Sequence, residues 1–197
     1  MKLYFSPGAC SLADHIALLE SGLDFETERV DLKTKKTQSG GDYNAVNPKG
    51  YVPALGLEPE GVLTENIAIL SYIAEKAGTL MPTDGLGRFR ALEALAYIST
   101  ELHKNFAPFF KSGADDAQKE EGKKTLTRRF ALLEEQLEGR DFLLGNELSV
   151  ADCYLFVMLF WAKEKIGLDL PLRLSALFER MKKRGAVSQA LADEGLA

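Results

Sequence analysis

The chain is poor in the residues that staple or ligate. Among 197 residues there are two cysteines, Cys10 and Cys153, and two histidines, His15 and His103. Two cysteines supply neither a disulfide framework nor a metal quartet, so no metal is expected and a reduced, cytoplasmic protein is. No apolar run approaches the roughly 18 residues of a membrane span. The start of the chain has one lysine and no apolar h-region, so no secretory leader is expected. Basic residues are outnumbered, 24 against 29 acidic, for a net charge of -5. That balance argues against non-specific nucleic-acid binding. Internal repeats and low-complexity segments are missing as well. What remains is a chain that is 46% hydrophobic, enough for one large domain or two small ones.

The first 78 residues mix strand and helix signals. "KLYF" is short and strand-like. "SLADHIALLESG" spaces Leu12, Ile16 and Leu19 helically and ends on Gly22, a C-cap residue. "FETERVDL" alternates as a strand. The polar run "KTKKTQSGGDYNAVNPKG" reads as a loop with a short helix near Tyr43 to Val46. "VPALGL" and "GVLT" form a hairpin around Glu58-Pro59-Glu60-Gly61. "ENIAILSYIAEKAG" is a helix with Ile67, Leu70, Ile73 and Ala74 on its inner side. The order β-α-β-α-β-β-α fits a small sheet, built on a right-handed β-α-β unit, with helices on both faces.

Residues 79–87 carry Pro82, Gly85 and Gly87 and read as a linker; the pattern after them is helical throughout. Residues 88–111 place Leu92, Leu95, Ile98, Leu102, Phe106 and Phe109 three or four apart, and residues 117–138 do the same with Leu126, Phe130, Leu133 and Leu137. "LSVADCYLFVMLFWAKEKIG" opens on Ser149 with Asp152 three residues on, close to a capping box. Apolar nearly all round, it should be a buried central helix. Two shorter helices follow near 171–184 and 186–193.

Cys10 stands where the first helix begins. Unpaired N–H groups and the positive helix end favour a thiolate, so a somewhat lowered pKa and partial ionisation at neutral pH are expected. The competing reading is a small buried hydrophobe. With Ser11-Leu12-Ala13 following Cys10 there is no C-x-x-C pair, and Cys153 falls in a core helix. A lone reactive thiol then needs an external partner, for which glutathione is the abundant candidate. Val52-Pro53, if cis, would offer the Val52 backbone to an extended ligand. Thr64, Glu65 and Asn66 open a helix; the commoner reading is an ordinary N-cap with a first-turn acid, the other a site where a ligand carboxylate would meet N–H groups and Glu65 an ammonium. Lys33, Lys35 and Lys36 form a solvated surface, or one of them clamps a second carboxylate.

"MKLYFSPGACSLA", "NPKGYVPAL", "LTENIAILSYIAE", "ELHKNFAPFF" and "SVADCYLF" together resemble bacterial beta-class glutathione S-transferases, and the resemblance runs from Met1 to the closing "ALADEGLA". It implies a thioredoxin-like α/β domain (1–78), the 79–87 linker, an all-helical domain (88–197) and a homodimer. It also implies a cis Pro53, with Val52 pairing the cysteinyl backbone of glutathione. Cys10 would lie at the glutathione sulfur, Lys35 near the glycyl carboxylate, and Glu65 and Asn66 at the γ-glutamyl end. Glu101 and His103 would complete the site, the former's region also reaching glutathione on the partner subunit.

Three positions depart from the pattern: Phe5 where the class has Tyr, Ala96 where it has Asn, and Asn66 where a smaller residue is usual. His103 shares a helix face with Ala96, Ser99 and Ala107, small residues that leave room for a pocket or a close helix contact, with Phe110 further on. His15 is expected to be structural. The resulting expectation is a glutathione transferase, with glutathione as co-substrate and an apolar electrophile as second substrate. The alternatives are thiol transfer through a Cys10 mixed disulfide and a non-catalytic glutathione-binding scaffold.

Overall fold

The structure, a computed structural model, describes residues 1–83 and 85–197. It begins with β1 (Lys2–Phe5), whose alternation sends Leu3 and Phe5 into the main core. Tyr4 points the other way, onto Tyr43 at 5.8 Å, in a smaller cluster with Val30, Val52 and Ala54. α1 (Leu12–Ser21) follows and stops where Gly22 turns left-handed at φ 67°, a conformation glycine adopts without strain. β2 (Glu26–Asp31) returns parallel to β1, β3 (Lys36–Thr37) pairs antiparallel with β2, and α2 is the expected single turn, Tyr43–Val46. β4 (Ala54–Gly56) and β5 (Val62–Thr64) form the hairpin, and the sheet order is β3-β2-β1-β4-β5. β3 was not anticipated: two polar residues are too few to show alternation, and β2 recruits them by backbone pairing alone. The turn between β4 and β5 contains a cis Glu58–Pro59 bond, also unanticipated.

α3 (Asn66–Ala77) buries Ile69, Leu70, Ile73 and Ala74. Ile67, expected on that inner face, is partly buried against the same core and also lines a cavity described below. Of the expected linker 79–87, Asp84 lies outside the described residues, and Gly85–Gly87 already belong to α4 (Gly85–Tyr97). The expected continuous helix to residue 111 is broken. After Tyr97 the chain widens by one residue, so that the His103 N–H bonds the Ile98 carbonyl five residues back. A tight turn over His103–Phe106 follows, then α5 (Ala107–Phe110). Asn105 Nδ2 donates to the Glu101 carbonyl at 2.8 Å, satisfying a group that the change of winding frees. The break is invisible in the apolar spacing, because Leu102 and Phe106 remain buried on either side of it. Such widened turns frequently occur at functional sites.

α6 (Asp116–Gln136) buries Leu126, Phe130 and Leu133. α7 (Val150–Phe160) is buried at every residue. At its start Asp152 Oδ2 accepts from the Ser149 N–H at 2.9 Å and the Ser149 hydroxyl at 2.7 Å, while Oδ1 accepts from Leu143 N–H at 2.8 Å. α8 (Leu172–Lys182) and α9 (Gly185–Asp193) close the chain. α1 packs against α3, α7 and α9, which joins the sheet half to the helical half. The loop before Cys10 is held from both sides: Gly8 N–H donates to Glu194 at 2.8 Å, and Trp161 Nε1 donates to the Gly8 carbonyl at 2.8 Å. No helix of the described residues is long and apolar enough to cross a membrane.

Candidate functional site

A cavity of about 470 Å³ lies between the sheet half and the helical half. Cys10, Val52 and Pro53 line it from the sheet side, with Tyr51, Glu65, Asn66 and Ile67 at one end. Ser99, His103, Ala107, Phe110 and Tyr154 line the helical wall, and Lys104 and Lys111 also border it.

Cys10 lies just before the α1 cap, Ser11, as the sequence suggested, but its acid–base state is a correction. Burial pushes the thiol up to about 12, and the nearby Asp14 and Glu65 carboxyls push the same way. The Cys10 and Ser11 backbone N–H groups face the sulfur and pull downward, but less strongly. The loss of hydration outweighs the helix end, whose contribution is at most about 2 kcal/mol. Cys10 is therefore a thiol, and it donates to the Val52 carbonyl at 3.5 Å. Cys153 is buried in α7, also held protonated by desolvation. The Val52–Pro53 bond is cis.

The Glu65 end is ionic. The Glu65 carboxylate accepts from the Lys49 ammonium and, at 2.8 Å, from the Tyr51 hydroxyl, and these two bonds hold its pKa below the usual range. Lys49 also donates to Thr64 Oγ1 at 2.9 Å. Glu65 itself has a left-handed backbone, φ 78°, an uncommon conformation for a non-glycine residue and one that recurs at ligand clamps. Lys49 and Tyr51 were not singled out from sequence, although both sit inside "NPKGYVPAL".

The helical wall is neutral. Burial lowers the His103 imidazole to about 4, so it is uncharged at neutral pH. Its Nδ1 lies 2.6 Å from the Tyr154 hydroxyl. Burial holds the phenol's proton well above its usual range; a hydroxyl that keeps its proton can donate to Nδ1, and the tautomer that matches that bond carries Nε2–H as the ring's donor. Trp161 stands edge-on to His103 at 5.1 Å and to Phe110 at 4.9 Å, fixing both rings. The expected small-residue face is there in part: Ser99 and Ala107 line the cavity, and Ala96 does not. Tyr154 was missed because it lies in a helix apolar enough to read as core alone.

Two expected site residues are not brought to the cavity. Lys35 caps the Gly50 carbonyl through Nζ at 2.6 Å, one residue from Tyr51. Glu101 pairs with Arg129 at 2.7 Å. Asn66 reaches the cavity, but its amide Nδ2 is spent on the Cys10 carbonyl at 3.0 Å and on Asp14 Oδ2 at 2.9 Å. Phe5 is buried in the core, 5.8 Å from the His15 ring, and His15 sits against Glu194 at 3.1 Å.

Comparison with known proteins supplies the remaining context. Residues 1–75 match the family model for the glutathione S-transferase N-terminal domain, and residues 97–184 match that for the C-terminal domain. Glutathione S-transferase GstA of Escherichia coli O157:H7 is 42% identical, with both chains covered in full. A sphingomonad glutathione S-transferase solved in complex with glutathione is 46% identical, TM-score 0.93, with full coverage of both chains. A bacterial beta class glutathione S-transferase from Sphingomonas chungbukensis is 44% identical, again at TM-score 0.93 over the full length of each.

Proposed function

The chain belongs to the glutathione S-transferase family, and on that premise we propose how its cavity conjugates glutathione to an apolar electrophile. Glutathione lies extended along the sheet side. Its sulfur rests by Cys10, its cysteinyl backbone runs beside Val52, and its γ-glutamyl ammonium meets Glu65. Lys35 reaches the glycyl carboxylate after releasing the Gly50 carbonyl. Residues 1–78 thus hold the peptide, and residues 88–197 supply the wall for the second substrate, with Ala107 and Phe110 as its apolar floor.

The observation that carries this reading is the pairing of a neutral, donor-lined end with an ionised end inside one cavity. In the reaction the glutathione thiol gives its proton to solvent. The backbone N–H groups at Cys10 and Ser11, the Cys10 S–H and the His103 Nε2–H stabilise the sulfur anion by hydrogen bonding. The anion attacks an electrophilic carbon, a C–S bond forms, and with an aryl halide the halide leaves with the bonding pair. Thiol transfer through Cys10 itself is the weaker reading, because a thiol this reluctant to ionise is a poor nucleophile.

The enzyme acts in the cytoplasm as a homodimer. Leu86 and Phe89 stand exposed at 67% and 64% on the first turns of α4, an apolar patch suited to a second copy. Glu101, outside its own cavity, then serves the partner's site. Purified protein should conjugate glutathione to 1-chloro-2,4-dinitrobenzene and elute at twice the chain mass. Glutathione binding without turnover would leave the scaffold reading in place.

A further inference from the structure

Two helix starts meet beneath the cavity. α1 begins just after Cys10, and α3 begins with Asn66, just after Glu65. Asp14, on the first turn of α1, is fully buried, and its Oδ2 accepts from Asn66 Nδ2 at 2.9 Å. The same Nδ2 donates to the Cys10 carbonyl at 3.0 Å. Among the described residues these are the only side-chain hydrogen bonds between the start of α1 and the start of α3. Asp14 Oδ1 is buried with no partner. A buried orphan acceptor costs stability, and a residue kept only for packing would be apolar. Burial also pushes the carboxyl well above its ordinary range, the cost of placing an acid where nothing pairs with Oδ1.

We propose that Asp14 is a positioning residue: through Asn66 it locks the Cys10 end of the cavity to the Glu65 end and so sets the span over which one extended thiol peptide is gripped. The inference rests on the glutathione reading above. A ligand held at two points gains from the fixed distance between them, because the second contact is made without further ordering. Each end by itself is indifferent to that distance. The bridge therefore matters to a peptide that reaches both ends and not to one that reaches a single end.

The test compares two thiols in conjugation to 1-chloro-2,4-dinitrobenzene: glutathione, and cysteinylglycine, which lacks the γ-glutamyl group and cannot reach Glu65. Asp14→Leu and Asn66→Ala should each raise the KM for glutathione about fivefold, with kcat/KM for cysteinylglycine held within about twofold. Asp14→Asn, which keeps a side-chain oxygen able to accept from Asn66 Nδ2, should restore the glutathione KM. The double variant Asp14→Leu/Asn66→Ala should be no worse than the weaker single, as for two residues of one contact. Equal losses with both thiols, or no change with either, would overturn the proposal. If Asp14→Leu does not fold, Asn66→Ala and Asp14→Asn decide it: a raised KM in the first with a wild-type KM in the second supports the bridge, and an unchanged KM in Asn66→Ala overturns it. Wild-type protein that turns over neither thiol would instead remove the glutathione reading beneath it.

Discussion

At the Cys10 end of the cavity the titratable groups are held neutral, whereas at the Glu65 end they are ionised and paired. Cys10, His103 and Tyr154 are all shifted by desolvation toward their uncharged forms. Glu65, half exposed, is pulled toward its charged form by Lys49 and Tyr51. Neutral donors suit a site where negative charge develops on sulfur, because they stabilise the anion without carrying a counter-charge that must itself be desolvated. Ionised groups suit recognition of a zwitterionic peptide end. Substitutions at the first end should therefore act on turnover, and those at the second on binding.

The largest effect is expected at His103. If His103 presents Nε2–H to the sulfur as proposed, His103→Ala removes that donor, and loss of one such donor costs about a hundredfold in kcat. The glutathione KM should change far less. Because the folded imidazole titrates near 4, the neutral ring is present at all higher pH and gives way to imidazolium, which keeps Nε2–H, only as pH falls through that value. His103 should thus contribute no inflection to the rate profile between pH 5 and 8. An inflection near 6.5 that vanishes in His103→Ala would show a solvated, charge-switching histidine instead.

Glu65→Gln should act on the other parameter. A charge-assisted hydrogen bond is worth about 1.5–3 kcal/mol. Glu65 is already served by Lys49 and Tyr51 in the free protein, so the lower figure applies, and the glutathione KM should rise about tenfold. The kcat should stay near wild type. A fall in kcat with unchanged KM would erase the division between the two ends.

That division was only half legible in the sequence. The ionic end could be read from Glu65, since an acid at a helix start beside a turn is a local pattern. The fold was legible for a similar reason: long apolar repeats marked α1, α3, α6 and α7, and turn residues bracketed the β4–β5 hairpin. The neutral end could not be read. The helix start before Leu12 suggested a partly ionised Cys10, and the opposing factor, burial in a cavity whose far wall includes His103 and Tyr154, comes from tertiary packing and not from neighbours in sequence. The widened turn at His103 was hidden for a different reason. An inserted residue leaves Leu102 and Phe106 facing inward on both sides, so the apolar spacing carries no trace of it.

Tyr154→Phe tests the neutral end more finely. A phenol donating to Nδ1, 2.6 Å away, favours the Nε2–H tautomer, and the phenyl ring keeps the packing. Without the hydroxyl, tautomers with the proton on Nδ1 become accessible and the fraction presenting Nε2–H falls. One neutral hydrogen bond is worth about 1 kcal/mol, so kcat should drop about fivefold, with the glutathione KM unchanged. A loss as large as that of His103→Ala would make the hydroxyl itself a participant at the sulfur.

The smallest effect is expected where the sequence draws the most notice. Cys10 has a thiol at a helix start in the cavity, yet its pKa near 12 leaves it almost wholly protonated at neutral pH. With the glutathione sulfur placed beside it as proposed, an S–H would offer one weak donor, next to two backbone N–H groups that any residue at position 10 retains. Cys10→Ala should therefore lower conjugation by about twofold, which at ~0.4 kcal/mol is what one weak donor supplies. Alkylation of wild type with iodoacetamide at neutral pH should be correspondingly slow, slower than for free cysteine, and should quicken as pH rises toward 12. The sign follows from the thiolate being the reactive form, with burial opposing it. Loss of conjugation by a hundredfold in Cys10→Ala, together with rapid alkylation at pH 7, would show that the helix end prevails over burial, and the Cys10 end would then belong with Glu65 among the ionised groups.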